Sequence, residues 1–100
     1  MRVARAGDRI SVLDEAGREL ARADLRWIDG DPAAFDLRVD GGAGALRRLL
    51  REFQSMSAAG GLYITIDAQD PKALGLFSLF LRLGAAPSML VMRVEPDSGG

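Results

Sequence analysis

The chain reads as a single α+β domain, with two helices and a mixed, mostly antiparallel sheet in β-β-β-α-β-α-β order. Three observations carry that reading. Apolar and polar residues alternate through most of the first forty positions, the period switches from two to 3.6 at Leu46, and each helical stretch after that is followed by another alternating one. At 100 residues the chain fits one domain with a core of its own. That domain is expected over 1–95, with 96–100 as a loose tail.

Ile10 and Val12 alternate with Arg9, Ser11 and Leu13, and Asp14-Glu-Ala-Gly-Arg18 supplies the glycine of a short hairpin loop. Arg2 to Ala4 is a candidate for one further short strand ahead of them. From Leu20 to Ile28, one parity carries Ala21, Ala23, Leu25 and Trp27 while the other carries Arg22, Asp24 and Arg26, so one face is buried and the other wet. Trp27 therefore reads as core or interface packing. Asp29-Gly-Asp-Pro32 is turn chemistry, because glycine tolerates positive φ and proline presets its own. A third strand follows, with Phe35, Leu37 and Val39 alternating with Asp36, Arg38 and Asp40.

Leu46, Leu49, Leu50, Phe53 and Met56 then share one helical face, predicting a helix over about 44–58 that packs on the sheet. Gly60-Gly61 suits a left-handed end. Leu62, Ile64 and Ile66 alternate with Tyr63, Thr65 and Asp67, and a strand reached by a helical crossover pairs parallel to the one before it. Asp70-Pro71 marks a helix start as N-cap and first helical residue, and Gly84 stops that helix after Leu83. This second helix is apolar nearly all round, so it is enclosed or part of an interface. A last strand is expected over Ser88 to Glu95.

Composition removes several classes of function. The chain is 48% hydrophobic and 27% charged, and no apolar run approaches the roughly 18 residues that cross a bilayer. With no cysteine and no histidine, disulfides, thiolate metal sites and Ser-His-Asp catalysis are excluded. A net charge of −1 offers no global field for nucleic acid, which makes a nucleic-acid partner a poor first guess. Arg2 and Arg5 precede no apolar segment, so no signal peptide is expected and the cytoplasm is the default location.

The stretch most suggestive of small-molecule chemistry is Val39-Asp-Gly-Gly-Ala-Gly-Ala-Leu46, a glycine-rich turn between a strand and a helix. Backbone amides at such a junction hold phosphate. A glycine-rich connection with no ligand accounts for the same residues, and both readings stand at this point. Together with the element order, the sequence from Phe35 to Val94 resembles the core of the GCN5-related N-acetyltransferases, which bind acetyl-CoA. In that family a loop of the form Arg/Gln-x-x-Gly-x-Gly/Ala opens the helix and its amides hold the CoA pyrophosphate.

The resemblance implies a tentative acetyl-CoA site made of Leu37 and Val39 on the strand, the amides of Gly41, Gly42, Ala43, Gly44 and Ala45, and the side chain of Arg47. Anchored on Leu49-Leu50, the motif places its central glycine on Gly44, while Gly41 and Leu46 depart from it. Leu79-Phe-Leu-Arg-Leu-Gly-Ala85 resembles the family's second landmark, with Phe80 where a tyrosine often protonates the departing thiolate. Phenylalanine has no proton to give.

Catalytic residues are not assigned: Asp67, Asp36 and Asp24 are candidate bases by position only, and Tyr63 is a candidate acid. Arg47, Arg48 and Arg51 form a small basic patch, read as a solvated face or as a phosphate contact. The family's substrate-binding N-terminal wall is missing, which leaves a cleft that a second copy would close, so homodimerisation is expected. Two functions follow: an acetyltransferase-like domain binding acetyl-CoA with weak or no N-acetyl transfer, or a non-catalytic binding or assembly module that keeps only the fold. No metal is expected.

Overall fold

The computed structural model describes residues 1–88 and 92–96. These form β1 (Arg2–Ala6), β2 (Arg9–Leu13), β3 (Glu19–Ile28), β4 (Asp31–Val39), α1 (Ala43–Gln54), β5 (Tyr63–Ile64) and α2 (Ala73–Arg82). The strands make one mixed sheet in sequential order, antiparallel from β1 to β4 and parallel between β4 and β5. The short N-terminal strand is therefore present, and the parallel crossover is as the periodicity requires. The strand expected over Ser88–Glu95 falls partly on residues 89–91, outside the described residues. Its described flanks, Ser88 and 92–96, are irregular. Of the expected tail, 97–100 also lie outside the described residues.

The β3–β4 connection is tighter than alternation indicates. Ile28 pairs with Asp31, which leaves Asp29 and Gly30 as a two-residue loop with φ of 50° and 82°. Both positive values belong to the hairpin turn that Asp-Gly favours, because its twist matches that of the strands. β4 consequently begins at Asp31 and not near Phe35, with Pro32 opposite Trp27. Trp27 keeps the parity of Leu25 but lies near the hairpin tip, past the part of the sheet that α1 covers, and is 56% exposed. Of the two expected uses, core packing is ruled out and a surface position remains.

A bulge reverses the faces of β4 midway. Asp24 pairs with Phe35 and Arg22 with Arg38, so Ala23 faces two residues, Asp36 and Leu37. Asp36 absorbs the extra residue with φ of 52°. Leu37 is buried and Val39 packs against the core, whereas Phe35 lies on the opposite face beneath the Arg26 guanidinium, 5.4 Å from its ring centre. The three apolar residues of this strand thus do not share a face.

α1 covers β2, β3 and β4. Leu46, Leu49 and Phe53 are fully buried against Ile10 and Val12 and against the small Ala21, Ala23 and Ala34, whose short side chains leave room for the helix to approach. The helix ends at Gln54 and not near 58. Ser55 Oγ donates to the Glu52 carbonyl at 2.6 Å, and Ser57 Oγ donates to Asp31 Oδ1 at 3.0 Å while accepting from the Gly61 N–H at 3.2 Å. Serine side chains competing for backbone groups end helices in this way. The Asp31–Ser57–Gly61 chain ties the start of β4 to the segment entering β5.

β5 is shorter than its alternation implies: two ladder pairs, Ala33 with Tyr63 and Ala34 with Ile64, are extended only by Thr65, whose N–H and Oγ1 both donate to the Ala34 carbonyl. α2 begins at Ala73, after Asp70 accepts the Lys72 N–H at 2.9 Å in a turn of its own, so Asp70 is not the N-cap. On α2 only Phe80 is buried, with Leu76 and Leu79 packed against the core.

Phe53→Ala is expected to cost about 3–5 kcal/mol in urea unfolding, the range for emptying a fully buried aromatic site. Ser57→Ala is expected to cost about 1 kcal/mol through the lost tie to Asp31. A Ser57→Ala midpoint equal to that of the unmodified chain removes the assigned role of that chain of hydrogen bonds.

Candidate functional site

Two places in the fold bear on the acetyl-CoA expectation. The first lies where β4 and β5 part. Pairing stops at Ala34 and Thr65 while β4 runs on to Val39, so among the described residues the Phe35–Val39 edge on the β5 side has no backbone partner. A cleft of about 120 Å³ opens there, lined by Leu37, Arg38, Val39, Asp40, Asp70, Lys72 and Leu76. Its walls are apolar at Leu37, Val39 and Leu76, and its rim carries two cations and two carboxylates.

The second place is the glycine-rich turn, which leans toward β3. The Asp40 and Gly41 N–H groups both donate to the Leu20 carbonyl, at 2.8 and 2.9 Å, so neither amide is available to a phosphate. A Cβ on Gly41 would stand 2.7 Å from Leu20 Cβ, which explains that glycine by close packing. Gly42 is the N-cap of α1 with φ of 83° and ψ of −172°, a conformation that only glycine adopts readily. No side chain caps the first-turn amides of Ala43, Gly44 and Ala45, and no acidic residue lies in that turn. Such amides attract anions.

The expected cofactor residues therefore separate. Leu37 and Val39 line the cleft, whereas Gly41, Gly42, Ala43, Gly44 and Ala45 do not. Gly44 has Met1 as its nearest neighbour, Cε 3.8 Å from the site of an added Cβ. Arg47 is exposed and forms no ion pair among the described residues; Arg48 pairs with Glu52 at 4.0 Å. The unpaired edge of β4 and the uncapped amides of 43–45 are thus two separate places in the fold.

The candidate acids and bases are not gathered. Asp24 pairs with Arg9 Nε at 3.1 Å on the face away from α1, Asp67 accepts the Gln69 N–H at 2.9 Å in a turn, and Asp36 sits exposed in the bulge. Tyr63 stands opposite Ala33, at the paired end of β5, and does not line the cleft. Among the described residues no cluster of three or more metal-ligating side chains occurs, and no helix is long and apolar enough to cross a membrane.

The cleft residues that sequence reasoning missed are Arg38, Lys72 and Leu76. Arg38 was visible as a polar position of its strand, but only the parting of β4 from β5 gives it a rim to occupy. The chain matches no protein-family model, no curated protein and no solved structure.

The glycines separate packing from ligand binding. Gly41→Ala is expected to cost about 1–3 kcal/mol by overlap with Leu20. Gly44→Ala, at an open helical position, is expected to be neutral or to gain up to about 1 kcal/mol. Thermal melts of both variants decide: equal stability would show that Gly41 is not kept by its contact with Leu20.

Proposed function

We propose that this chain is an acetyltransferase-like domain that binds acetyl-CoA and transfers its acetyl group weakly or not at all. The observation that supports binding is the parting of β4 from β5 after Ala34, which leaves backbone groups of Leu37 to Val39 beside an apolar-walled cleft. An extended chain with amide groups, such as the pantetheine arm, meets its hydrogen-bonding needs along a free strand edge. Bound acetyl-CoA supplies a thioester carbonyl open to attack by an amine. The residues of this chain hold the arm at Leu37 and Val39, and present Ala43, Gly44, Ala45 and Arg47 to the phosphates. Weak transfer follows from the surroundings: Phe80 is buried in the core where a proton donor is wanted, and the three candidate carboxylates are engaged or placed elsewhere.

A second reading, an assembly module without ligand, is favoured by α2. Leu74, Phe77 and Leu81 occupy i, i+3 and i+7 positions and are 77%, 41% and 45% exposed, a stripe suited to a second copy of the chain.

Amide NMR titration with acetyl-CoA and with CoA separates the two. Binding is expected to shift Leu37 to Val39 and Ala43 to Arg47, with little change at α2. No shift at millimolar ligand rejects the cofactor reading. Sedimentation of Phe77→Asp beside the unmodified chain reads the assembly: a dimer is expected to become a monomer, and a chain already monomeric at the highest concentration rejects it.

A further inference from the structure

The dipeptide Asp-Gly occurs twice in the chain, at Asp29–Gly30 and at Asp40–Gly41, each time behind a β-branched residue, Ile28 or Val39. In this dipeptide the glycine amide nitrogen can reach the carboxyl carbon of the aspartate side chain, because glycine has no Cβ to shield that nitrogen. Local sequence therefore makes the two places nearly equivalent. The fold treats them oppositely.

Asp29 and Gly30 are both exposed at the tip of the β3–β4 hairpin, and nothing lies within 4 Å of the place that a Cβ on Gly30 would occupy. Among the described residues the Gly30 N–H donates to no backbone carbonyl. At the second place, the Gly41 N–H donates to the Leu20 carbonyl at 2.9 Å, and an added Cβ would stand 2.7 Å from Leu20 Cβ. Attack by the Gly41 nitrogen requires breaking that hydrogen bond and turning the peptide against a packed side chain. Asp36 shares the positive φ of Asp29, but the residue after it is Leu37, whose own Cβ shields the amide.

We infer that Asp29–Gly30 is a site of spontaneous backbone isomerisation, and that the fold protects Asp40–Gly41 from the same reaction. With the Asp29 carboxyl protonated, the Gly30 nitrogen bonds to Cγ and gives up its proton while the carboxyl hydroxyl departs, so one water is released. The cyclic succinimide then takes up one water. Opening at the Cγ carbonyl restores aspartate, whereas opening at the main-chain carbonyl leaves the chain running through Cβ and Cγ as isoaspartate. No oxidant or reductant enters, and the final mass is unchanged. The product has one more backbone atom in a two-residue loop whose positive φ values match the twist of the strands. That displaces the next residue, Asp31, whose carboxylate accepts from Ser57 Oγ at 3.0 Å, and so loosens the tie to Gly61.

The test holds the full chain at physiological temperature for several weeks, cleaves it after arginine and reads the peptides by electron-transfer fragmentation, which tells isoaspartate from aspartate. Cleavage after Arg26, Arg38 and Arg47 separates Trp27–Arg38 from Val39–Arg47, so each Asp-Gly is the control for the other. Isoaspartate is expected to form at Asp29 roughly fivefold or more faster than at Asp40, the factor that one hydrogen bond of ordinary strength accounts for. In urea that unfolds the chain, the two rates are expected to converge. The converted form, isolated by chromatography, is expected to exchange its Gly61 amide hydrogen faster than the unconverted chain. Equal rates in the folded chain, a preference of the same size in urea, or no conversion at Asp29 while the unfolded chain converts overturns the inference. Unchanged exchange at Gly61 overturns the link to the Ser57 tie.

Discussion

Phe35 and Leu37 are two residues apart in a strand and face opposite sides of the sheet, because Asp36 takes a left-handed conformation between them. Most of what distinguishes this molecule depends on that bulge. Before it, β4 pairs on both edges, with β3 and with β5; after it, among the described residues, β4 keeps only β3. Bulges bend the strand that carries them and increase its twist. The bend directs Val39 and the turn beyond it toward β3, where the Leu20 carbonyl receives two successive amides. The same bend opens the cleft that faces α2.

The face reversal also divides the side chains of β4 between two chemistries. Leu37 and Val39 join the core beneath α1, where Ala21, Ala23 and Ala34 keep the sheet surface low enough for Leu46, Leu49 and Phe53 to reach it. Phe35 joins the charged face, where Arg26 covers it. Burial of the three large α1 side chains supplies the main stabilising term, since each is removed from water almost completely. The surface ion pairs, such as Arg9–Asp24 and Arg48–Glu52, are partly exposed and contribute little by comparison. They orient side chains more than they hold the fold.

The two helices stand in different relations to the sheet. α1 has an apolar stripe of the width that one sheet face accepts, and its polar residues are solvated. α2 is apolar nearly all round but anchors through Phe80, with Leu76 and Leu79 in support. β5 gives it little to lie on, since its ladder is two residues long. The exposed Leu74, Phe77 and Leu81 are the consequence.

The sequence by itself determined the order of elements from β2 to α2, the α1 face and the parallel return to β5, and it offered the N-terminal strand as a candidate. These depend on periodicity and turn residues, which act over a few positions: Asp29-Gly30 selects its turn, and Leu46, Leu49 and Phe53 define a stripe, whatever lies beyond them. Helix ends were less legible, because Ser57 ends its segment by reaching Asp31, which is distant in sequence. The glycine-rich turn was legible as a turn, but its amides are committed to Leu20, a partner that only strand pairing brings near. Tertiary structure alone decided the faces of β4, the parting from β5 and the placing of Arg22 opposite Arg38. A bulge shifts every later side chain by half a period, and like charges on separate strands become neighbours only through register. Neither quantity is written in any local stretch of the chain.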